Sequence, residues 1–291
     1  MLCGCIDIGT NTTRVLVAEA HGGTLTEVLQ RRAFTRLGRG VAVGGTIPAA
    51  RIAETAKVVA EQVALARQAG CGTVRTVATA VIRSAANRDE FCATVRRDGG
   101  VDVCVLDGEE EARLAFLGAT RTLGRPLAGL RIAVVDVGGG SSEIAIGTID
   151  GGVEWWRSFD VGSGFLADAH FHHDPPTPAE LDAVRARVKG VLERIAPPPV
   201  DVAIAVGGSA ASLRRLVGEE LQPDSLGRAL ELLASGSAAD VAFRFDLDVQ
   251  RVRLMPAGLL ALDAAARALD LPLQIGRGGL REGVLLDLAG A

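Results

Sequence analysis

The 291-residue sequence contains no tyrosine, few aromatics of any kind (3%), and lysine at only two positions, Lys57 and Lys189. Arginine supplies the remaining basic residues, a bias that GC-rich coding explains without any functional demand for guanidinium. Positive charge is not in excess: 31 basic against 35 acidic side chains leave a formal charge of −4. A chain built mainly to coat nucleic acid or an anionic membrane is thereby excluded. The five cysteines (Cys3, Cys5, Cys71, Cys92 and Cys104) are scattered, with no CxxC pair and no zinc spacing. Cys3 and Cys5, two apart in an expected strand, point to one face and are poorly placed to bridge each other. They are expected to be buried strand residues. No long hydrophobic run occurs. The most apolar stretch, 252–271, is broken by Arg253, Asp263 and Arg267. The N-terminus lacks a basic stretch followed by an apolar run, so neither a transmembrane helix nor a signal peptide is expected. The expected setting is soluble, reduced and cytoplasmic.

Hydrophobic residues make up 48% and charged residues 23%, the balance of a globular protein with a real core. The length admits one large domain or two modest ones. Glycine is in excess, with 36 residues in the chain against an average usage of roughly 7%, which points to tight turns and close backbone approaches. Short β-rich runs alternate with amphipathic helices. Residues 4–9 and 14–20 read as a hairpin, and 25–33 as a further strand. A helix starts at Thr46-Ile47-Pro48, with Ile52, Ala56, Val59, Val63 and Ala66 on a 3.6-residue period. A strand at 74–79, a helix near 87–97, a strand at 101–106 and a helix over 107–123 follow. Asp107 and Glu110 open that last helix at capping-box spacing. The pattern restarts beyond Gly124-Arg125-Pro126 with strands at 131–137, 142–149 and 152–160. A helix opening at Thr177-Pro178-Ala179-Glu180, a strand at 200–206, further helices and a C-terminal helix from about Gly279 complete it. This alternation predicts an α/β fold with mostly covered sheets.

The most informative feature is internal. Ile6-Asp7-Ile8-Gly9-Thr10-Asn11-Thr12-Thr13 and Val135-Asp136-Val137-Gly138-Gly139-Gly140-Ser141-Ser142 share one pattern. In each, an apolar strand ends in Asp, an apolar residue and Gly; two small or polar residues and two hydroxyls follow, and an apolar strand returns. The copies lie about one domain apart, which predicts a duplicated lobe with two glycine–hydroxyl hairpins facing a cleft. A weaker relative, Val206-Gly207-Gly208-Ser209, recurs later. Such turns offer main-chain N–H groups and hydroxyls to phosphate, and the strand-end aspartates suit Mg²⁺ held partly through water. Glu143 follows the second hairpin directly. Glu109, Glu110 and Glu111 open a helix, where acids are favoured by the dipole. Glu111, followed by Ala112, Leu114 and Ala115, is the one that could face inward, and the choice between it and Glu110 stays open by one position. Arg83 sits where a strand hands over to a helix and could fork onto phosphate. His170, His172 and His173 do not share one helix face and read as surface residues.

These residues resemble the Ppx/GppA exopolyphosphatase family within the actin/hexokinase/Hsp70-like superfold. The matching stretches are Ile6–Asn11, 79–87 with Arg83, Gly108–Leu114, Asp136–Glu143, Asp174-Pro175-Pro176-Thr177, Gly207-Gly208-Ser209 and Gly279–Gly283, in the family's order and over nearly the whole chain. The resemblance implies an α/β fold of two actin-like, ribonuclease H-like lobes around a central cleft: residues 1–123 and 124–278, with the helix at about 279–291 packing back on the first. It implies release of the terminal phosphate of inorganic polyphosphate, or of a guanosine pentaphosphate (pppGpp), with Mg²⁺ or Mn²⁺. Carried over by motif, Glu111 would orient or deprotonate the attacking water and Glu143 would help to position that water and the metal. Asp7, Asp136 and Glu143 would hold the metal. Asn11, Thr12, Gly138, Gly139, Gly140, Ser141, Gly208 and Ser209 would cradle phosphate, and Arg83 would grip the chain. Phosphoryl transfer needs an in-line water, charge neutralisation and positioning, which these groups can supply. Thr12 replaces a more usual Ser, and Gly276-Arg277-Gly278 stands where Ser-Asp is frequent. The chain stops soon after Gly283, without the helical domain of longer relatives, which predicts a preference for short or medium polyphosphates. The expected partners are that substrate and a second copy of the chain in a homodimer, with no nucleic acid and no membrane. An ATP-dependent phosphotransferase of the same superfold and a non-catalytic polyphosphate or alarmone sensor are the rival readings. A sensor gains nothing from two buried carboxylates.

Overall fold

The computed structural model describes residues 1–42, 44–123 and 127–290. The chain divides into two compact units, one made of Met1–Gly124 with Gly278–Ala291 and the other of Arg125–Arg277. Residues 124–126, at the expected boundary between the lobes, lie outside the described residues.

The first unit runs β1 (Leu2–Ile8), β2 (Thr13–His21), β3 (Thr24–Ala33), α1 (Ala49–Gln68), β4 (Thr73–Ala78), α2 (Ala80–Ser84), α3 (Arg88–Gly99), β5 (Val103–Val105) and α4 (Gly108–Thr122). The second runs β6 (Ile132–Val137), β7 (Ser142–Thr148), β8 (Gly152–Phe159), α5 (Ser163–His170), α6 (Pro178–Leu192), β9 (Val202–Val206), α7 (Gly207–Val217), β10 (Glu220–Leu221), α8 (Pro223–Ala234), α9 (Ala238–Phe245), α10 (Val249–Val252), α11 (Met255–Leu269) and β11 (Leu273–Ile275). The last helix, α12 (Leu280–Leu288), belongs to the first unit.

The described residues form two sheets, ordered β3-β2-β1-β4-β5 and β10-β11-β9-β6-β7-β8. Leaving out the two-residue β10, the second order is the first repeated. Each sheet has an antiparallel three-strand meander, then two strands added in parallel. Even the irregularity is repeated: a β-bulge lies after Val17 in β2–β3 and after Ile146 in β7–β8. The bulge leaves one extra residue on the outer strand and shifts every later pair by one.

Local chemistry explains the helices. In α1 the periodic residues Ile52, Ala56, Val59, Val63 and Ala66 are all buried. Thr177 and Glu180 form a full capping box at α6, with Pro178 in the first turn. At α4 only half the expected box forms. Asp107 accepts the Glu110 N–H at 2.8 Å, while the Glu110 carboxylate turns to Arg113 in a bidentate pair. The strand expected over 101–106 shortens to Val103–Val105. Neither β10, β11, α2 nor α5 was expected; each is too short to show a period.

Glycine permits the α4–α12 contact. A Cβ on Gly118 would lie 1.9 Å from the Gly279 carbonyl oxygen, and one on Gly283 would lie 1.8 Å from the Leu114 carbonyl oxygen. Arg113 and Arg75 then clamp the far end of α12 through Asp287. In the second unit, α11 is buried along most of its length and is the centre of a core that also takes Val135, Val137, Ile144 and Ile146 from the sheet.

The Gly118→Ala variant forces these helices apart and is expected to lose about 1–3 kcal/mol of stability, read from urea unfolding of the full chain. A second prediction concerns pH. Glu180 accepts from the His173 ring and from the main-chain N–H of Thr177 and His172. The His173 bond first, then these N–H groups, pull its carboxyl from 4.5 down to about 2. A depressed carboxylate stabilises the fold above its unfolded pKa and ceases to do so as pH falls through the folded one. The melting temperature should therefore fall between pH 4.5 and about 2, and Glu180→Gln should flatten that part of the profile.

Candidate active site

Each meander turns through a glycine that closes one main-chain bond. Gly9 N–H donates to Thr12 O at 3.0 Å, and Gly138 N–H to Ser141 O at 3.0 Å. A Cβ would come within 3.3 Å and 3.1 Å of those same oxygens, so the tight turn favours glycine. The turns set equivalent registers. In the first unit Asp7 faces Arg14, which faces Arg32; in the second Asp136 faces Glu143, which faces Ser158. Side chains directly opposite on antiparallel strands share one face with Cβ atoms about 4.5–5.5 Å apart. One scaffold thus carries two rows of different charge.

In the first row, burial pushes the Asp7 carboxyl above its usual range, partly offset by Arg14 and Arg281 and reinforced by Glu282. Arg14 Nε donates to Thr12 Oγ1 at 3.3 Å. Thr10 Oγ1 and Asn11 Nδ2 are buried without a hydrogen-bond partner, while the main-chain carbonyls of both residues accept N–H bonds from Gly38 and Arg36. Arg36 adopts φ +47°, a left-handed conformation that is strained for a residue with a Cβ.

In the second row Glu143 is only 2% exposed, beside a like charge. Ser158 Oγ donates to its Oε1 at 2.7 Å. The neighbouring glycine turn is held from behind. Gly162, Ser163, Gly164 and Phe165, at the start of α5, direct their N–H groups at the carbonyls of Gly138, Gly139 and Gly140, and Ser163 Oγ adds a further bond to Gly138 O. Gly162 is required there, because a Cβ would sit 2.4 Å from the main chain of Gly139 and Gly140. With their carbonyls taken, the N–H groups of Gly139, Gly140 and Ser141 make no main-chain bond among the described residues. The Val206–Ser209 segment is a strand-to-helix turn and not a third hairpin. Gly207 (φ +84°) opens α7, and a Cβ on it would lie 2.2 Å from Asp136 Oδ1. Gly208 is in the first helical turn. Ser209 is buried, and its Oγ lies where a Cβ on Gly258 of α11 would have to go.

Glu111 and Arg83, far apart in sequence, meet in the first unit. Arg83 Nη1 donates to Glu111 Oε2 at 2.7 Å and to Leu106 O at 3.0 Å. Glu111 is buried, whereas Glu110 is tied to Arg113 on the outer side, so of the two it is Glu111 that points inward. A guanidinium has five N–H donors. These two bonds use one nitrogen, which leaves the fork able to take a phosphate.

Among the described residues no group of three or more His, Cys, Asp or Glu is placed to hold a metal ion, so a closed protein cage is absent there. The Asp136–Glu143 pair offers two hard carboxylates on one face. That fits Mg²⁺, which takes one or two carboxylates and completes its shell with water and substrate phosphates.

The model of the Ppx/GppA phosphatase family matches residues 16–291. The chain belongs to that family. As a Ppx/GppA protein it is a hydrolase of phosphoanhydride bonds. Exopolyphosphatase 1 of Mycobacterium tuberculosis is 30% identical over 98% of this chain and 88% of its own length. The crystal structure of the Aquifex aeolicus family member is 28% identical with a TM-score of 0.79, covering 99% of this chain and 97% of that one. The ethanolamine utilization protein EutJ from Carboxydothermus hydrogenoformans, 15% identical with a TM-score of 0.51 over 98% and 90% of the two chains, is a likeness of fold alone. The two units are α/β lobes of the actin-like class. No helix among the described residues of this Ppx/GppA protein is long and apolar enough to cross a membrane.

The Ser158 hydroxyl and the Gly162–Gly164 clamp were missed from sequence. The run Val161-Gly162-Ser163-Gly164 is a glycine–serine cluster that could have marked the clamp; Ser158 carries no such signal. Replacing Arg83 with Ala removes the guanidinium paired with the buried Glu111 carboxylate and should cost about 1–3 kcal/mol, while Glu110→Ala breaks an exposed pair and should cost no more than about 1 kcal/mol. Parallel urea unfolding of the two variants measures the difference.

Proposed function

We propose that the protein is an exopolyphosphatase that removes the terminal phosphate of inorganic polyphosphate by attack of water, with short or medium chains preferred. The observation that carries this reading is the Asp136–Glu143 pair, Glu143 buried and Asp136 half-buried, beside a glycine turn whose carbonyls are tied away from its N–H groups. The name of the Mycobacterium tuberculosis relative supports the substrate class. A formal charge of −4 supports the length preference, since an acidic chain attracts a long polyanion weakly.

In this reading Glu111 accepts the proton of the attacking water. Arg83 holds its carboxylate in place at 2.7 Å and can turn its unused N–H donors to a phosphate. The N–H groups of Gly139, Gly140 and Ser141, with Gly208 at the start of α7, hold phosphate oxygens in the second unit. Asn11 Nδ2 and Thr12 offer side-chain donors in the first. Asp136 and Glu143 would hold Mg²⁺ or Mn²⁺, and Asp7 would offer a further hard oxygen donor from the first unit. Such an ion, when bound, neutralises charge on the phosphates and polarises the P–O bond to be broken. Glu143 also orients the attacking water.

The test is phosphate release from polyphosphates of defined length, with Mg²⁺ or with EDTA, beside pppGpp and ATP. Release from polyphosphate is expected, lost with EDTA and reduced about 10²-fold or more in Glu111→Ala. Faster release from pppGpp would assign the nucleotide as the substrate. Ligand binding without release from any of the three would overturn the catalytic reading.

A further inference from the structure

We infer that Ser158 is the positioning residue for Glu143, fixing the carboxylate through its Oε1. This rests on the role proposed above for Glu143.

Three observations carry it. The Ser158 hydroxyl donates to Glu143 Oε1 at 2.7 Å, the length of a charge-assisted O–H···O bond. Glu143 needs such a donor: it is 2% exposed, and its in-register neighbour Asp136 carries like charge, an arrangement that is unfavourable by itself. Nor does the fold demand the hydroxyl. At the equivalent position of the first unit, in the same register and after the same bulge, stands Arg32, whose guanidinium lies over the Phe34 ring. The bulge selects the residue. Without the shift after Ile146, Glu143 would face Arg157; with it, Glu143 faces Ser158. An arginine opposite Glu143 would form an ion pair and tie up the carboxylate. A serine donates to one oxygen and adds no ion pair of its own. Because Ser158 is on a strand, the donor is placed by the ladder and not by a loop.

The experiment compares Ser158→Ala, Ser158→Thr and Ser158→Val in phosphate release from polyphosphate with Mg²⁺, with Glu143→Ala as control. Thr and Val have the same shape and differ by the hydroxyl. We expect kcat to fall about 10–100-fold in the Ala and Val variants, the usual effect of losing such a supporting bond, with KM for polyphosphate within about threefold. The Thr variant should stay near wild type. A second readout needs no metal and no turnover. In a double-mutant cycle of urea unfolding, Ser158→Ala and Glu143→Ala should be non-additive by about tenfold in the unfolding constant. Equal losses in Thr and Val would make the role one of packing and overturn the inference, as would additive unfolding or a wild-type kcat in Ser158→Ala. A fully active Glu143→Ala would instead overturn the role proposed for Glu143, and the inference with it.

Discussion

One main-chain hydrogen bond, made twice, constrains the rest of the site. The Gly9–Thr12 and Gly138–Ser141 bonds, each 3.0 Å, close turns too tight for a side chain at the glycine without crowding the acceptor. Each turn fixes the register of the strands it joins, because side chains alternate with a period of two and a slip of one residue would exchange the faces. The aspartate at each strand end is thereby committed to one cross-strand neighbour: Arg14 in the first unit, Glu143 in the second.

The two units share strand order, register and bulge, yet their rows bear opposite charge. Arg32, Arg14 and Asp7 leave a net positive row, suited to an anion; Asp136, Glu143 and Ser158 leave a negative one, suited to a cation or an oriented water. Duplication therefore supplies one scaffold, and the chemistry resides in the two positions that follow the turn and its outer strand. Holding a carboxylate pair together is costly unless donors and a counter-charge answer it. The second unit supplies one such donor through Ser158, while the start of α5 occupies the carbonyls of the neighbouring glycine turn.

Much of this was legible in residues alone. The period of Ile52 to Ala66, the Thr177–Glu180 box and the duplicated Asp–Gly–hydroxyl pattern are local properties, and local sterics and capping enforce them in any context. The α4 start was half legible: Asp107 caps the helix, but Glu110 prefers a guanidinium from the next turn over the N-cap N–H. Ser158 was not legible, because its partner depends on a bulge. A Cβ on Gly147 would come within 1.9 Å of the Gly152 carbonyl oxygen, and that close approach, together with the extra residue, is settled between strands. The strand at Leu273–Ile275 exists because Ala203–Ala205 is there to pair with it.

By itself the sequence determined the α/β alternation, the duplicated hairpins and the set of carboxylates and glycines, since turn chemistry and periodicity act within a few residues. Which acid points inward was decided only by tertiary structure. Successive residues on a helix differ by about 100° in direction, and the direction of α4 is set by its packing on α12 through Gly118 and Gly283. That packing turns Glu111 toward Arg83 and Glu110 toward Arg113. The same holds for Asp136 and Glu143: their types were written in the chain, but their meeting on one face required the ladder.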